Sequence, residues 1–198
     1  MGEWHIVGGM SSTPLIQSLL RASATIKSAL ADDAPFLGAV ERLAARLRQV
    51  ILDGGTIYSC GNGGSSCDAM HLTEELVARY KRERPGIRAM HFGDTGTVTC
   101  WSNDYEYESV FARYAETFCA EKDCLIAIST SGRSRSVNRA VEVAKKRGCF
   151  TAALTGKGGG ELAPLVDLAL VVPSEETERI QEAHITIIHI LLELLETA

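Results

Sequence analysis

The stretch SCGNGGSSCDAMHLTEEL, residues 59–76, joins a glycine-rich loop directly to a helix. The run before the loop, TIYSC at 56–60, is short and apolar, which is typical of a buried strand. Glycines allow close approach to the backbone, and free N–H groups at a helix N-terminus attract anions. The loop has neither the Gly-Lys-Ser/Thr ending of a Walker loop nor the G-x-G-x-x-G spacing. On its own, it predicts either an anion-binding turn or merely a tight connection between strand and helix.

Strands and helices alternate along the rest of the chain. The predicted strands are 56–60, 86–92, 124–129, 149–156 and 166–173, and the predicted helices are 14–31, 36–52, 66–82, 107–120, 136–148 and 176–196. Uninterrupted apolar strands that alternate with helices are typical of a parallel sheet covered on both faces. We therefore predict an α/β fold, a three-layer sandwich with a central parallel sheet flanked by helices and preceded by an N-terminal helical hairpin.

Length and composition narrow the class of protein. The 198 residues suffice for one domain, which we place at 13–198 after a flexible extension at 1–12. The net charge of −5 disfavours a nucleic-acid partner, and no apolar run reaches the roughly 20 residues of a membrane helix. The six cysteines form no C-x-x-C pair, a pattern that favours reduced thiols. We expect a cytoplasmic protein without nucleic-acid or membrane partners.

A second polar loop, STSGRSRS at 129–136, also lies between a predicted strand and a predicted helix. Its five hydroxyl groups can donate to phosphate oxygens, and Arg133 and Arg135 can add attraction. The alternative is a helix N-cap with surplus serines. Because ligands of such sheets bind at the carboxyl ends of the strands, two loops of this kind favour a phosphate site.

Five motifs carry a resemblance to a known family. GNGGSSCDAMHLTEELVARYKRERPG, SNDY, STSGRS, LTGKGGG and RIQEAHITIIHI occur in this order between residues 14 and 196. Together they resemble the bacterial phosphoheptose isomerases, which carry the sugar isomerase (SIS) domain. The resemblance implies the SIS fold, a phosphorylated seven-carbon sugar as substrate and a homotetramer with active sites at subunit contacts. It also implies an aldose–ketose isomerisation, sedoheptulose 7-phosphate to D-glycero-D-manno-heptose 7-phosphate, through an enediol.

The resemblance also implies which residues contact the substrate. They are Asn62, Gly63, Gly64, Ser65, Glu75, Asn103, Asp104, Ser129, Thr130, Ser131, Ser134 and Gln181. Without the resemblance, Asn103-Asp104 would pass for a turn. Arg133 and Arg135 depart from the family pattern, where smaller or less charged residues are familiar, and this bears on substrate preference.

Four side chains are candidate metal ligands. His71 and Glu75 are four residues apart on one helix, and Gln181 and His189 are eight apart on another, so each pair can share a face. From spacing alone, the more ordinary explanation is a surface contact between His71 and Glu75 and a core histidine at position 189. The resemblance implies that all four bind one zinc ion per subunit. His184 lies near Gln181 in the sequence, but the resemblance favours His189 as the ligand.

Glu75 and His189 are the candidate catalytic residues, one as base and the other as acid partner, in an order that the sequence leaves open. A different class of function is a non-catalytic SIS protein that senses phosphosugars or binds a replication initiator. Such a protein needs the fold but not the metal ligands, so the presence of all four favours the enzyme. A nucleotide-binding enzyme is disfavoured because both standard nucleotide fingerprints are missing.

Overall fold

The computed structural model describes residues 11–197, which form five strands and seven α-helices around one parallel sheet. The strands are β1 Ile57–Gly61, β2 Ala89–His91, β3 Cys124–Ser129, β4 Phe150–Thr155 and β5 Leu168–Val171. The helices are α1 Thr13–Ala31, α2 Ala34–Leu52, α3 Gly64–Val77, α4 Thr95–Asp104, α5 Val110–Phe118, α6 Arg135–Lys146 and α7 Thr177–Glu196. The α/β prediction and the helical hairpin before the sheet are confirmed. The predicted extension at 1–12 lies outside the described residues except for its last two.

The sheet has a helical layer on each face because successive strand residues point to opposite sides. In β3, Ile126 and Ile128 pack into an apolar cluster with residues of α2, α3 and α7. Leu125 and Ala127 belong to a second cluster with residues of α5 and α6. This two-sided burial explains why the strand sequences are apolar without alternation.

Three local predictions were wrong. The predicted helix 66–82 ends at Val77, and residues 78–84 run on without helical structure. The predicted strand 86–92 is reduced to β2. Helix α4 was missed because its sequence, TGTVTCWSND, is rich in threonine and has no buried residue. It begins where the Asp94 carboxylate accepts a hydrogen bond from the Thr97 N–H at 2.9 Å.

The order of the strands places the functional loops. The sheet runs β2-β1-β3-β4-β5, so the chain leaves β1 toward one edge and later returns to the other side of it. In doubly wound sheets, ligands bind at such a switch point, beyond the carboxyl ends of the strands. Here that point lies between β1 and β3, and the glycine loop and the serine loop follow these two strands. Within residues 11–197, no helix combines the length and apolar character needed to cross a membrane.

Candidate active site

The glycine loop (61–66) and the serine loop (129–136) are joined through one side chain. The Asn62 amide donates to the hydroxyl of Ser134 at 2.6 Å and to that of Ser136 at 3.0 Å. The Tyr107 hydroxyl, from a 3-10 turn at Tyr107–Ser109, donates to the other end of the same amide. A cavity of about 180 Å³ lies between the loops and is lined by Asn62, Ser65, Ile128, Ser129, Thr130, Ser131, Arg133 and Ser134.

The loop that follows β4, with the motif LTGKGGG at 154–160, packs against the serine loop. The Gly156 N–H donates to the Thr130 carbonyl at 3.1 Å, and the Leu162 N–H donates to the Gly132 carbonyl at 2.9 Å. Gly132 has a φ of 62°, and a Cβ atom there would overlap the carbonyl of Gly159. The motif LTGKGGG therefore has a structural task, because its glycines let this backbone pack against the serine loop.

The cavity is suited to an anion. Helices α3 and α6 both begin at it, so their N-terminal N–H groups supply partial positive charge. Of the two arginines in the serine loop, Arg133 lines the cavity. Arg135 instead pairs with Glu108 at 3.2 Å on the surface. Hydroxyls, helix ends and one guanidinium group together match the needs of a phosphate.

A second cluster lies between α3 and α7. The Nε2 atoms of His71 and His189 are 3.0 Å apart, and His71 Nε2 is 3.6 Å from an Oε1 of Glu75. One potential ligand atom from each of the three residues lies within 4.8 Å of the others. Zinc ligands at their usual bond lengths are about 3.3 Å apart in a tetrahedral site, so these three donors fit such an ion. The structure thus brings together three of the four predicted ligands.

Gln181, the fourth predicted ligand, lies nearer the start of α7 than His189 does. Its amide packs against the backbone of Gly64, at the start of α3, where a Cβ atom would overlap it. The eight residues from Gln181 to His189 correspond to about 12 Å along the axis of α7. Gln181 therefore lies beside the glycine loop, and its role as a metal ligand stays a prediction.

Two neighbours of the cluster were missed by sequence reasoning. Tyr80 stacks on the His189 imidazole, with ring centroids 5.9 Å apart and planes 18° from parallel. Asp68, one turn before His71 on α3, is buried, and its Oδ2 has no hydrogen-bond partner among the described residues. Burial raises the pKa of Asp68 to about 6, although the nearby His71 acts in the opposite direction. Both residues lie in the motif that begins with GNGGS, but nothing in their spacing singled them out.

The remaining predicted residues are placed as follows. Gly63 precedes α3 with a φ of 55°, and Gly64 opens the helix. Asn103 and Asp104 end α4, not a turn, and they are exposed and bonded to each other at 2.9 Å. They are not among the residues that line the cavity within this part of the chain.

His184 is a core residue. It is fully buried, and its Nε2–H donates to the Thr155 carbonyl at 3.2 Å. Burial lowers its pKa to about 4, and the hydrogen bond to Thr155 offsets only part of that effect.

Comparisons with known proteins agree with this geometry. The SIS domain family matches residues 19–156. A protein of Tolumonas auensis named phosphoheptose isomerase is 46% identical over 176 residues, which cover 87% of this chain and 92% of that protein. One from Vibrio cholerae with the same name is 43% identical over 92% of this chain and 96% of its own. The solved structure of a phosphoheptose isomerase from Francisella tularensis has a TM-score of 0.90 at 33% identity, covering 96% of this chain and all of that one.

Proposed function

The chain belongs to the SIS domain family and, within it, to the phosphoheptose isomerases, and from this premise we propose that it converts sedoheptulose 7-phosphate to D-glycero-D-manno-heptose 7-phosphate. As a member of this family it is an isomerase of phosphorylated sugars. The exact seven-carbon substrate and product are the proposal. The observation that carries it is the cluster that His71 and Glu75, on the helix that begins at the anion cavity, form with His189 of α7.

The proposed reaction moves hydrogen between neighbouring carbons. A base removes a proton from C1 of the ketose, the electrons form a 1,2-enediol, and an acid returns a proton to C2 while the carbonyl moves to C1. Glu75 and His189 are the proposed pair, because one lies on α3 and the other on α7 with His71 between them. The Glu75 side chain is only 17% exposed, so water competes little for its carboxylate.

We propose that the pair works beside one zinc ion per subunit. His71, Glu75 and His189 would hold it, and Gln181 is the proposed fourth ligand. Zinc would polarise the carbonyl oxygen of the substrate as a Lewis acid. The hydroxyls of the serine loop, with Asn62 and Ser65, would bind the phosphate, while Asn103 and Asp104 would contact the sugar.

The dimensions of one chain support a shared active site. Ser65, at the cavity, and Glu75 are ten residues apart on α3, about 15 Å along its axis. An extended seven-carbon sugar phosphate spans only about 10 Å from C1 to phosphorus. We infer that the cavity of one copy works with the cluster of another, in a homotetramer. The exposed apolar side chains of α1, Leu15, Ile16, Leu19 and Leu20, are available to such contacts.

We also infer that residues 13–198 act as one domain in the cytoplasm. All six cysteines are free, and four of them are buried, as expected of reduced thiols. The alternative, a non-catalytic sensor, has support only from fold: the NanR protein of Vibrio vulnificus complexed with ManNAc-6P matches with a TM-score of 0.70 at 18% identity. The sensor needs no metal cluster, so the three converging donors favour the enzyme.

An assay on sedoheptulose 7-phosphate tests the proposal. Protein supplied with zinc should form the aldose, and NMR of the anomeric protons measures the rate at which it appears. Glu75→Gln should lower kcat by about 10³-fold because the amide cannot take a proton. Glu142→Gln, an equal change at an exposed site on α6, should leave kcat within about twofold. Full turnover in both Glu75→Gln and His189→Ala would refute the assigned roles. Thermal stabilisation by the sugar phosphate without any turnover would instead support the sensor.

A further inference from the structure

The ends of α3 and α7 are tied together by one buried ion pair. Arg84 Nε donates to the Glu196 carboxylate at 3.0 Å, and these side chains are only 16% and 4% exposed. Glu196 lies on the last turn of α7, seven residues and about two turns after His189. Residues seven apart share a helix face, so His189 and Glu196 both point toward α3 and the segment that follows it.

Arg84 also ends α3. Its two terminal nitrogens donate to the carbonyls of Glu75, at 2.7 Å, and Leu76, at 2.9 Å. Both carbonyls belong to the last turn of the helix, where no intrahelical N–H is available. One guanidinium group therefore binds the backbone of the candidate catalytic residue Glu75 and the end of the helix that carries His189.

Glu196 also holds the segment 78–84 in place. The second oxygen of its carboxylate accepts from the N–H groups of Lys81 and Arg82, both at 3.0 Å. This contact fixes the backbone next to Tyr80, whose ring stacks on the His189 imidazole. The Glu196 carboxylate thus joins the end of α7 to the backbone that positions the Tyr80 ring beside His189.

We propose that the Arg84–Glu196 pair is a clamp that sets the register of α3 against α7, and that both are positioning residues for the His71–Glu75–His189 cluster. An ion pair that joins two elements at their ends adds a directional contact to the apolar packing between them and opposes sliding along their axes. A shift of a few tenths of an ångström would separate ligand atoms that now lie 3.0 and 3.6 Å apart. The proposal rests on the assigned roles of the cluster.

The matched pair Glu196→Gln and Glu193→Gln tests the clamp. Glu193 lies on the same helix and pairs with Lys81 of the same segment, but both side chains are about half exposed. Screened pairs of this kind contribute little. We expect Glu196→Gln to weaken Zn²⁺ or Co²⁺ binding, measured by titration of the metal-free protein, about tenfold, and to lower kcat with little change in KM. Glu193→Gln should alter each quantity less than twofold.

Conservative variants separate positioning from stability. Glu196→Asp keeps the charge and should recover part of the metal affinity. Arg84→Lys keeps its charge but cannot reach the carboxylate and both carbonyls together, so it should resemble Glu196→Gln. Wild-type metal affinity and kcat in Glu196→Gln, with only a lower Tm, would overturn the clamp. If the wild-type protein binds no metal, the metal centre is refuted, and an unchanged kcat in Glu196→Gln then overturns the clamp as well.

Discussion

The cavity between the two loops and the His71–Glu75–His189 cluster are held by different kinds of contact. The cavity is made of two loops that directly follow adjacent strands. The Asn62 side chain joins these loops, and backbone hydrogen bonds join the serine loop to the loop after β4. The cluster consists of side chains from two helices whose ends are joined far along the chain by Arg84 and Glu196. The anion cavity therefore follows from sheet topology, whereas the cluster depends on how two helices are placed along each other.

Gly132→Ala should have the largest effect, and it should act on the cavity. The substitution forces a positive φ on alanine and drives its Cβ into the carbonyl of Gly159. We expect a loss of about 3 kcal/mol in the free energy of unfolding by denaturant titration. Gly158→Ala is the control: its φ is 70°, but a Cβ atom there meets nothing within 4 Å. It should cost only about 1 kcal/mol, from the backbone alone.

Ligand binding to the same two variants tests the cavity separately from the metal cluster. Gly132→Ala should lose affinity for inorganic phosphate while metal binding persists in the folded fraction. If Gly132→Ala and Gly158→Ala destabilise the protein equally, the packing of the loop after β4 against the serine loop is not what supports the cavity.

His184 connects the two regions, because it joins α7 to the carboxyl end of β4. Burial lowers its pKa from the ordinary 6.5 of a histidine to about 4 on folding, so the unfolded state binds the proton more strongly. The contribution of His184 to the free energy of unfolding is therefore fully present above pH 6.5. It falls by about 3 kcal/mol as the pH is lowered to about 4.

Unfolding experiments across this pH range measure the effect. His184→Gln keeps a donor for the Thr155 carbonyl and removes the titration, so its stability should vary less between pH 6.5 and pH 4 than that of the wild type. Parallel curves for the two proteins would show that other groups dominate the acid response.

Arg133→Asn should have the smallest effect, confined to the cavity. Because Arg133 lines the cavity, its loss should raise KM for the sugar phosphate about tenfold and leave metal affinity unchanged. Arg135→Asn is the matched control, since Arg135 pairs with Glu108 on the surface and should change KM less than twofold. Equal effects of the two variants would mean that general charge, not contact with the phosphate, raises affinity.

Local patterns in the sequence predicted most elements of the fold. Apolar strands, helical spacing and the Ser/Gly loops placed every strand of the sheet, because each signal acts over a few residues. Helix α4 escaped prediction since it buries no side chain and depends on its Asp94 cap. The end of α3 was also misplaced: its last carbonyls accept from Arg84, which also bonds Glu196, 112 residues away in the chain, and no local pattern reports such a contact.

The residues of the candidate site also differ in how well the sequence predicted their positions. Asn62, Ser129 and Ser131 were predicted from the loops and from the family resemblance, and the structure puts them at one cavity. The family resemblance, not the spacing, implied that Gln181 and His189 bind one ion. Within one chain the rise of α7 separates them, and Gln181 packs against Gly64. Helix periodicity reports which face a residue occupies but not its position relative to another helix.

By itself, the sequence determined the α/β class, the two loops and the residue types needed to bind a phosphate and an ion. These features depend on short-range backbone preferences and on alternating burial, which neighbouring residues encode directly. The family resemblance implied that His71, Glu75 and His189 bind one ion, but only the folded chain shows their donor atoms together and Tyr80 stacked on His189. Their meeting depends on the relative placement of helices far apart in the chain, which packing contacts and long-range ion pairs set together and which no single motif encodes.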